Sequence, residues 1–417
     1  MHSRRASRRL PIVAGALTAV VALAACGSGF STDGPETGGR TGAADGLTVL
    51  IDSSSQAETD AVTAAVDAWA ASSGTTATVR EATNMIQELS QGFAAGQPPD
   101  LFTVTGDQLG TLAASGSLFA YGDRLGSVSD FFPSLVDLFS WGGQLYCAPK
   151  DFSTLALVIN TDDWTAAGLT DADYPTSWDQ LAAVAQKLTA GGRAGLVLDP
   201  RYERVGVFLA EAGGSMTSGT TATVASPENV AALQYVKDQM NAGAFAWSTA
   251  VGAGSGVEAL GTHKASMTIE GNWVADAMAG YQDVNWKAVP LPAGPGGAGT
   301  LQFGTCWGVG TDSPHRDQAI DLAEYLSDTT RQAGFAKASG AMPSVQSATA
   351  AYTEAHPEMT AFTDAAESAR NVVTVPGWSA AQGDFDAQLE GLATGDPQAI
   401  LTTVQSTLQA LLDESNP

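Results

Sequence analysis

From Leu47 onward, apolar runs of strand length alternate with stretches whose apolar residues recur at helical spacing. Leu47 to Ile51 is the first such run. Ser55 with Glu58 three residues later forms a capping box and predicts a helix that sets Val62, Val66 and Trp69 on one face. Thr83 to Ala95 predicts a second helix, aligned on Ile86, Leu89 and Phe93, and Pro98-Pro99 breaks the chain before the strand Leu101 to Thr105. Asp107 opens a third helix and Gly116 ends it. A second series then begins: strand Leu155 to Ile159, helix Trp178 to Leu188 capped by Ser177 and Gln180, strand Gly195 to Leu198, and a helix from Glu203 to Gly213-Gly214. Ser226-Pro227 supplies an N-cap and a proline at the first helical position for a helix reaching Met240. Strands Ala265 to Ile269, Trp286 to Val289 and Leu301 to Gly310 follow, with a helix from Asn272 between the first two. Ser313-Pro314 opens a helix through Leu326, and the rest reads helical up to a last helix capped by Asp396-Pro397. This alternation predicts an α/β protein of two lobes, each a mainly parallel sheet flanked by helices, with a helical C-terminal part.

The first 26 residues read as an address. Arginines 4, 5, 8 and 9 precede the apolar run Ile12 to Ala25, which closes with Leu23-Ala24-Ala25-Cys26. That ending resembles the lipobox of bacterial lipoproteins, which implies that Cys26 becomes the lipidated first residue of the mature chain. Ser7-Arg8-Arg9 hints weakly at twin-arginine export. Residues 27–46 are rich in Gly, Ser and Thr, the composition of a flexible tether. The expectation is an extracytoplasmic protein held by lipid at the outer face of the cytoplasmic membrane.

Composition narrows the partners. Of 417 residues, 44 are acidic and 19 are Lys or Arg, for a net charge of −25. Such a surface repels phosphate backbones, so nucleic acid is excluded as a partner. No enzyme signature stands out. Gly294-Pro295-Gly296-Gly297-Ala298-Gly299 has the G-x-G-x-x-G spacing, but a proline lies inside it and a strand follows, so it reads as a loop. The four histidines are scattered, which leaves zinc sites and histidine triads unsupported. No cofactor or metal is expected. A catalytic carboxylate pair leaves no mark in sequence, since its separation is set in three dimensions.

Several stretches, in order, resemble the carbohydrate-binding family of extracellular solute-binding proteins that serve ATP-driven importers. Gly143 to Asp151 followed by Leu157 to Asp162 is similar to the family's G-x-x-Y-G-x-P … Y-N-K-D stretch. Tyr174 to Leu181 resembles P-x-T-W-D-E-L, Ala265 to Trp273 resembles A-A-M-x-x-x-G-x-W, and Pro290 to Val309 resembles P-L-P … G-G-x-x-W-A-I. The resemblance implies a periplasmic-binding-protein-like fold of type II. Its N-terminal lobe would be residues 47–150 with 309–341, and its C-terminal lobe 151–308 with 342–417. Hinge strands would cross near Pro149 to Ser153 and Thr305 to Gly308, with a further crossing after Ala341. It also implies a monomer that captures a mono- or oligosaccharide and passes it to permease subunits. A polyamine, peptide or osmolyte in the same fold, or an exported carbohydrate-active enzyme, are the competing readings.

The resemblance directs attention to particular residues, since a sugar needs a flat aromatic for its C–H face and carboxylates or amides for its hydroxyls. Trp273, with Asn272 beside it, stands at the family's stacking position. Asp107 and Gln108 follow the strand Leu101 to Thr105, with helix capping as the competing role of Asp107; Ser54, Ser55 and Gln56 hold the equivalent place after the first strand and also double as cap residues. Asp151 and Ser153 lie in the first hinge, where Asp151 can bind hydroxyls or pair with Lys150. Thr305 lies on the second hinge. Tyr202, Glu203 and Arg204 open a helix on the cleft side of the second lobe. Trp307 and Trp378 suit ligand or core equally, whereas Trp69, Trp178 and Trp286 read as core. Cys147 and Cys306 depart from the family pattern at positions that the implied fold brings side by side, so a disulfide between them is expected.

Overall fold

The computed structural model describes residues 46–126 and 128–415. The leader, Cys26 and the tether up to residue 45 lie outside the described residues.

Among the described residues, eleven strands join one sheet. In chain order they are β1 (Leu47–Ile51), β2 (Ala77–Glu81), β3 (Leu101–Thr105), β4 (Ala148–Asn160), β5 (Ala194–Leu198), β6 (Phe245–Trp247), β7 (Ala265–Gly271), β8 (Trp286–Val289), β9 (Thr300–Val309), β10 (Met342–Pro343) and β11 (Ala369–Asn371). At one flank β1 lies parallel between β2 and β3. At the other, β5 lies parallel between β6 and β7. Of these, β1, β3, β5 and β7 are strands that the alternating pattern predicts, whereas β2 and β6 are not, and helices join them because parallel neighbours need a long return.

The middle of the sheet is antiparallel and holds the two halves together. β4 runs through both: Ala148 to Thr154 pair with β9, while Leu155 to Asn160 pair with β7 on one side and β8 on the other. β9 also spans the join, pairing with β11 at its start and with β3 from Thr305 to Val309. β10 adds a short third passage against Phe152 and Asp151. Twelve of the thirteen β4 residues are buried, which explains why its second half reads as an apolar run without alternation.

Two large apolar clusters flank this join. One gathers Val49, Phe102, Leu109, Phe131 and Trp307 with Val274 and Phe362; the other gathers Leu157, Trp178, Leu196, Phe208, Trp378 and Leu408. Cys147 and Cys306 are fully buried and form a disulfide, with Cα atoms 5.6 Å apart.

Helix starts differ in detail from the pattern. The cap after β3 is Thr105, not Asp107, and Gln108 completes its capping box. Ser55 caps the helix Gln56–Ser73, but the Glu58 carboxylate turns to Ser54 instead of closing the box. Ser313-Pro314 makes a turn, and the helix begins at Arg316. The helix expected from Asn272 is only Val274–Met278.

Candidate functional site

Chain segments from both sheet halves meet beside the crossing strands. β1 delivers Asp52, Ser53 and Ser54, and β3 delivers Thr105 to Gln108. β4 passes with Asp151, Phe152 and Ser153, and β9 with Phe303, Gly304 and Thr305. Asn272 and Trp273 leave the end of β7, and Ser339 to Ala341 close the remaining side. They enclose a cavity of about 410 Å³, a size usual for small-molecule sites. It lies at the carboxyl ends of parallel strands, where ligands of open α/β sheets bind.

A buried ion cluster forms the floor. Lys150 is 2% exposed, its ammonium 2.6 Å from Glu58 Oε1 and bonded to Asp151 Oδ2, with the Phe335 ring 4.5 Å away. Glu58 Oε2 accepts from the backbone N–H and the hydroxyl of Ser54, at 2.9 and 2.7 Å. Asp151 Oδ1 accepts from Thr305 Oγ1 at 2.6 Å. One ammonium thus ties the loop after β1 to both crossing strands. Burial opposes its charge, but Asp151 and Glu58 outweigh that and hold the Lys150 pKa above its ordinary value. Burial would likewise raise Glu58, yet Lys150 and the Ser54 bonds leave it lowered. Asp52 differs: desolvation, then repulsion from Glu58 and Glu81, raise its pKa.

Trp273 forms a wall. Its indole N–H donates to Glu270 Oε2 at 3.1 Å, and its ring meets Phe303 edge-on at 6.1 Å between centroids. Arg204 donates to the same Glu270 oxygen at 2.7 Å and lies over the ring at 5.4 Å. Asn272 donates its backbone N–H to Ser153 Oγ and its amide to the Gly340 carbonyl, so it links β4 to the turn after the helix Thr329–Ser339.

The structure brings Ser54, Asp107, Gln108, Asp151, Ser153, Asn272, Trp273 and Thr305 together around this cavity. The other expected residues are elsewhere. Ser55 is occupied as a helix cap, and Gln56 is exposed and donates to Asp60. Trp307 is 2% exposed in the first apolar cluster, its carbonyl bonded by Tyr121. Trp378 is fully buried in the second, edge-on to Tyr202, which packs there too. Glu203 accepts from Gln382. Arg204 stands behind Trp273. In each case apolar packing or a protein partner takes the side chain away from the cavity. Sequence reasoning missed Asp52, Ser53, Phe152, Phe303 and Ser339 to Ala341 as lining residues. The first two adjoin a segment already singled out, whereas Phe152 and Phe303 carry no signal beyond lying within the crossing strands.

Residues 64–364 match the family model of bacterial extracellular solute-binding proteins. An uncharacterized lipoprotein of Streptomyces antibioticus is 25% identical over 57% of this chain and 56% of its own length. A lactose-binding protein of Rhizobium radiobacter is 24% identical over 58% of this chain and 60% of its own length. The chain therefore spans under two thirds of these relatives. The cyclic α-maltosyl-1,6-maltose binding protein of Arthrobacter globiformis is 20% identical and superposes with a TM-score of 0.79, covering 88% of this chain and 99% of that one. At that identity the likeness establishes the two-lobe fold.

Proposed function

The chain belongs to the bacterial extracellular solute-binding proteins, and from that premise we propose that it captures a neutral carbohydrate in the cavity beside Trp273. The lobes are residues 47–150 with 309–341 and residues 151–308 with 342–417. They close on the sugar, and the loaded protein delivers it to permease subunits of an ATP-driven importer. Lipid on Cys26 holds the protein, as a monomer, at the outer face of the cytoplasmic membrane. Its action is binding without turnover.

The observation that carries the reading is the composition of the cavity wall. A half-buried indole stands beside hydroxyls and carboxylates from Ser54, Thr105, Asp107, Asp151, Ser153 and Thr305. A pyranose offers C–H groups to such a ring and hydroxyl pairs to such acceptors. A second reading, a cationic solute, draws on Asp52, Asp107 and Asp276, since among the described residues no Lys, Arg or His lines the cavity. Arg204 argues against it, because a guanidinium already over the indole discourages a second cation on the ring.

A thermal-shift screen of residues 27–417 against neutral mono- and oligosaccharides, amino sugars and polyamines separates the readings. A ligand that binds only the native state raises the melting temperature. Stabilisation by neutral saccharides supports the proposal; stabilisation by polyamines alone replaces it.

A further inference from the structure

We infer that Arg204, Glu270 and Gly271 are positioning residues that fix the Trp273 ring as a rigid platform. The inference rests on the reading of the cavity as the solute site, and concerns side chains that do not line it.

Trp273 leaves the end of β7 into a helix of only five residues, Val274–Met278, so the local backbone does little to fix its side chain. Two contacts and one clearance supply what the backbone lacks. Glu270 Oε2 receives the indole N–H, which fixes the edge of the ring. Arg204, from the separate helix Tyr202–Glu211, donates to the same oxygen and lies over the ring, 5.4 Å from its centroid. Gly271 supplies clearance: a Cβ there would lie 2.2 to 2.5 Å from three carbons of the ring's benzo edge. No flexible tip could yield at that distance, because the clashing atoms belong to a rigid ring. The indole therefore folds back over the strand end only because residue 271 has no side chain.

Burial shows how much the arrangement costs. Glu270 is 1% exposed and Arg204 is 9% exposed. A buried ion pair gives weak or no net stability relative to apolar residues of the same volume, so packing alone does not explain these charges. They do specify geometry. A charge-assisted acceptor bonding both guanidinium and indole defines one ring orientation, with one face against Arg204. Desolvation followed by the Asp199 charge pushes the Glu270 carboxyl upward, while Arg204 opposes them. Removing Arg204 thus weakens the indole's acceptor as well as its stacking partner. For the solute, a fixed platform removes the ordering cost of a mobile anchor, which is how preorganisation raises affinity.

The test needs no ligand. Uniformly nitrogen-15-labelled protein carries nine tryptophans and gives up to nine indole N–H signals; Trp273→Phe identifies one. In the wild type, the Trp273 indole proton should exchange with water at least tenfold more slowly than free indole. In Glu270→Gln and Arg204→Met its signal should shift and its exchange should quicken about tenfold or more, with the other indole signals in place. Gly271→Ala should displace the same signal, and Arg204→Lys should restore the acceptor contact only in part. Wild-type exchange at the free-indole rate overturns the inference even if no variant folds. So does a Trp273 signal that stays in place in Glu270→Gln, or a shift of all indole signals together, which marks a general loss of structure. Sugar binding could be absent while the ring is held, or present while it is loose, so this result and the proposed function stand or fall separately.

Discussion

Among single residues, two buried acids face opposite circumstances. Glu211 is fully buried, with one oxygen bonded by the Trp178 indole and the other without a hydrogen-bond partner among the described residues. Burial pushes its carboxyl well above the ordinary range, and the Trp178 bond offsets that only in part. As pH rises above 4.5 the unfolded chain gives up this proton and the folded chain keeps it, so stability falls until the raised folded value is passed. Glu211→Gln removes that penalty and should raise the melting temperature at pH 7 more than at pH 4. An equal change at both values would contradict the assignment. Glu58 runs the other way: its lowered pKa adds stability that is present above about pH 4.5 and lost as pH falls through the folded value. Its partner Lys150 adds stability that is lost as pH rises through its raised value. Lys150→Met leaves Glu58 and Asp151 beside each other without a cation and should cost about 3–5 kcal/mol in denaturant unfolding. A loss below about 1 kcal/mol would mean that the cluster is not ionised as described.

Elements were legible in the sequence to the extent that their signals are local. Ser177 and Ser226 cap the helices beginning at Trp178 and Pro227, and Pro397 opens the last helix, because cap chemistry spans three or four residues. β2 escaped notice because, as an edge strand, it alternates half-buried and exposed residues, without an apolar run. β4 was legible only in its second half. Lys150, Asp151 and Ser153 interrupt its first half with polar residues. Trp307 and Trp378 could not be told from cleft residues, since which face of an aromatic is covered depends on elements more than 100 residues distant. The disulfide ties these scales together. Cys147 precedes β4 and Cys306 lies in β9, where it pairs with Pro149 and Val104. The bond closes a loop of sequence separation 159 and contributes on the order of 4–5 kcal/mol by loop entropy. Reduction should lower the melting temperature by several degrees and change solute affinity less than threefold, because neither cysteine is among the residues that line the cavity. Two free thiols in denatured, unreduced protein lacking Cys26 would show that no bridge forms.

Across the whole molecule, the two sheet halves are joined by strands that pass beside the cavity. A ligand that bonds both sides shifts the population toward closure by its differential affinity for the closed form. Saturating sugar should therefore reduce the radius of gyration in solution scattering, and an unchanged curve would indicate a rigid site. More specific than closure is the proposed stacking of a neutral sugar on Trp273. Titration calorimetry of wild type and Trp273→Ala with the saccharide that stabilises the protein best tests it directly. Stacking on Trp273 requires saturable one-to-one binding to the wild type and a loss of more than about 2 kcal/mol, roughly thirtyfold in affinity, in the folded variant. Equal affinity in the two proteins would contradict it.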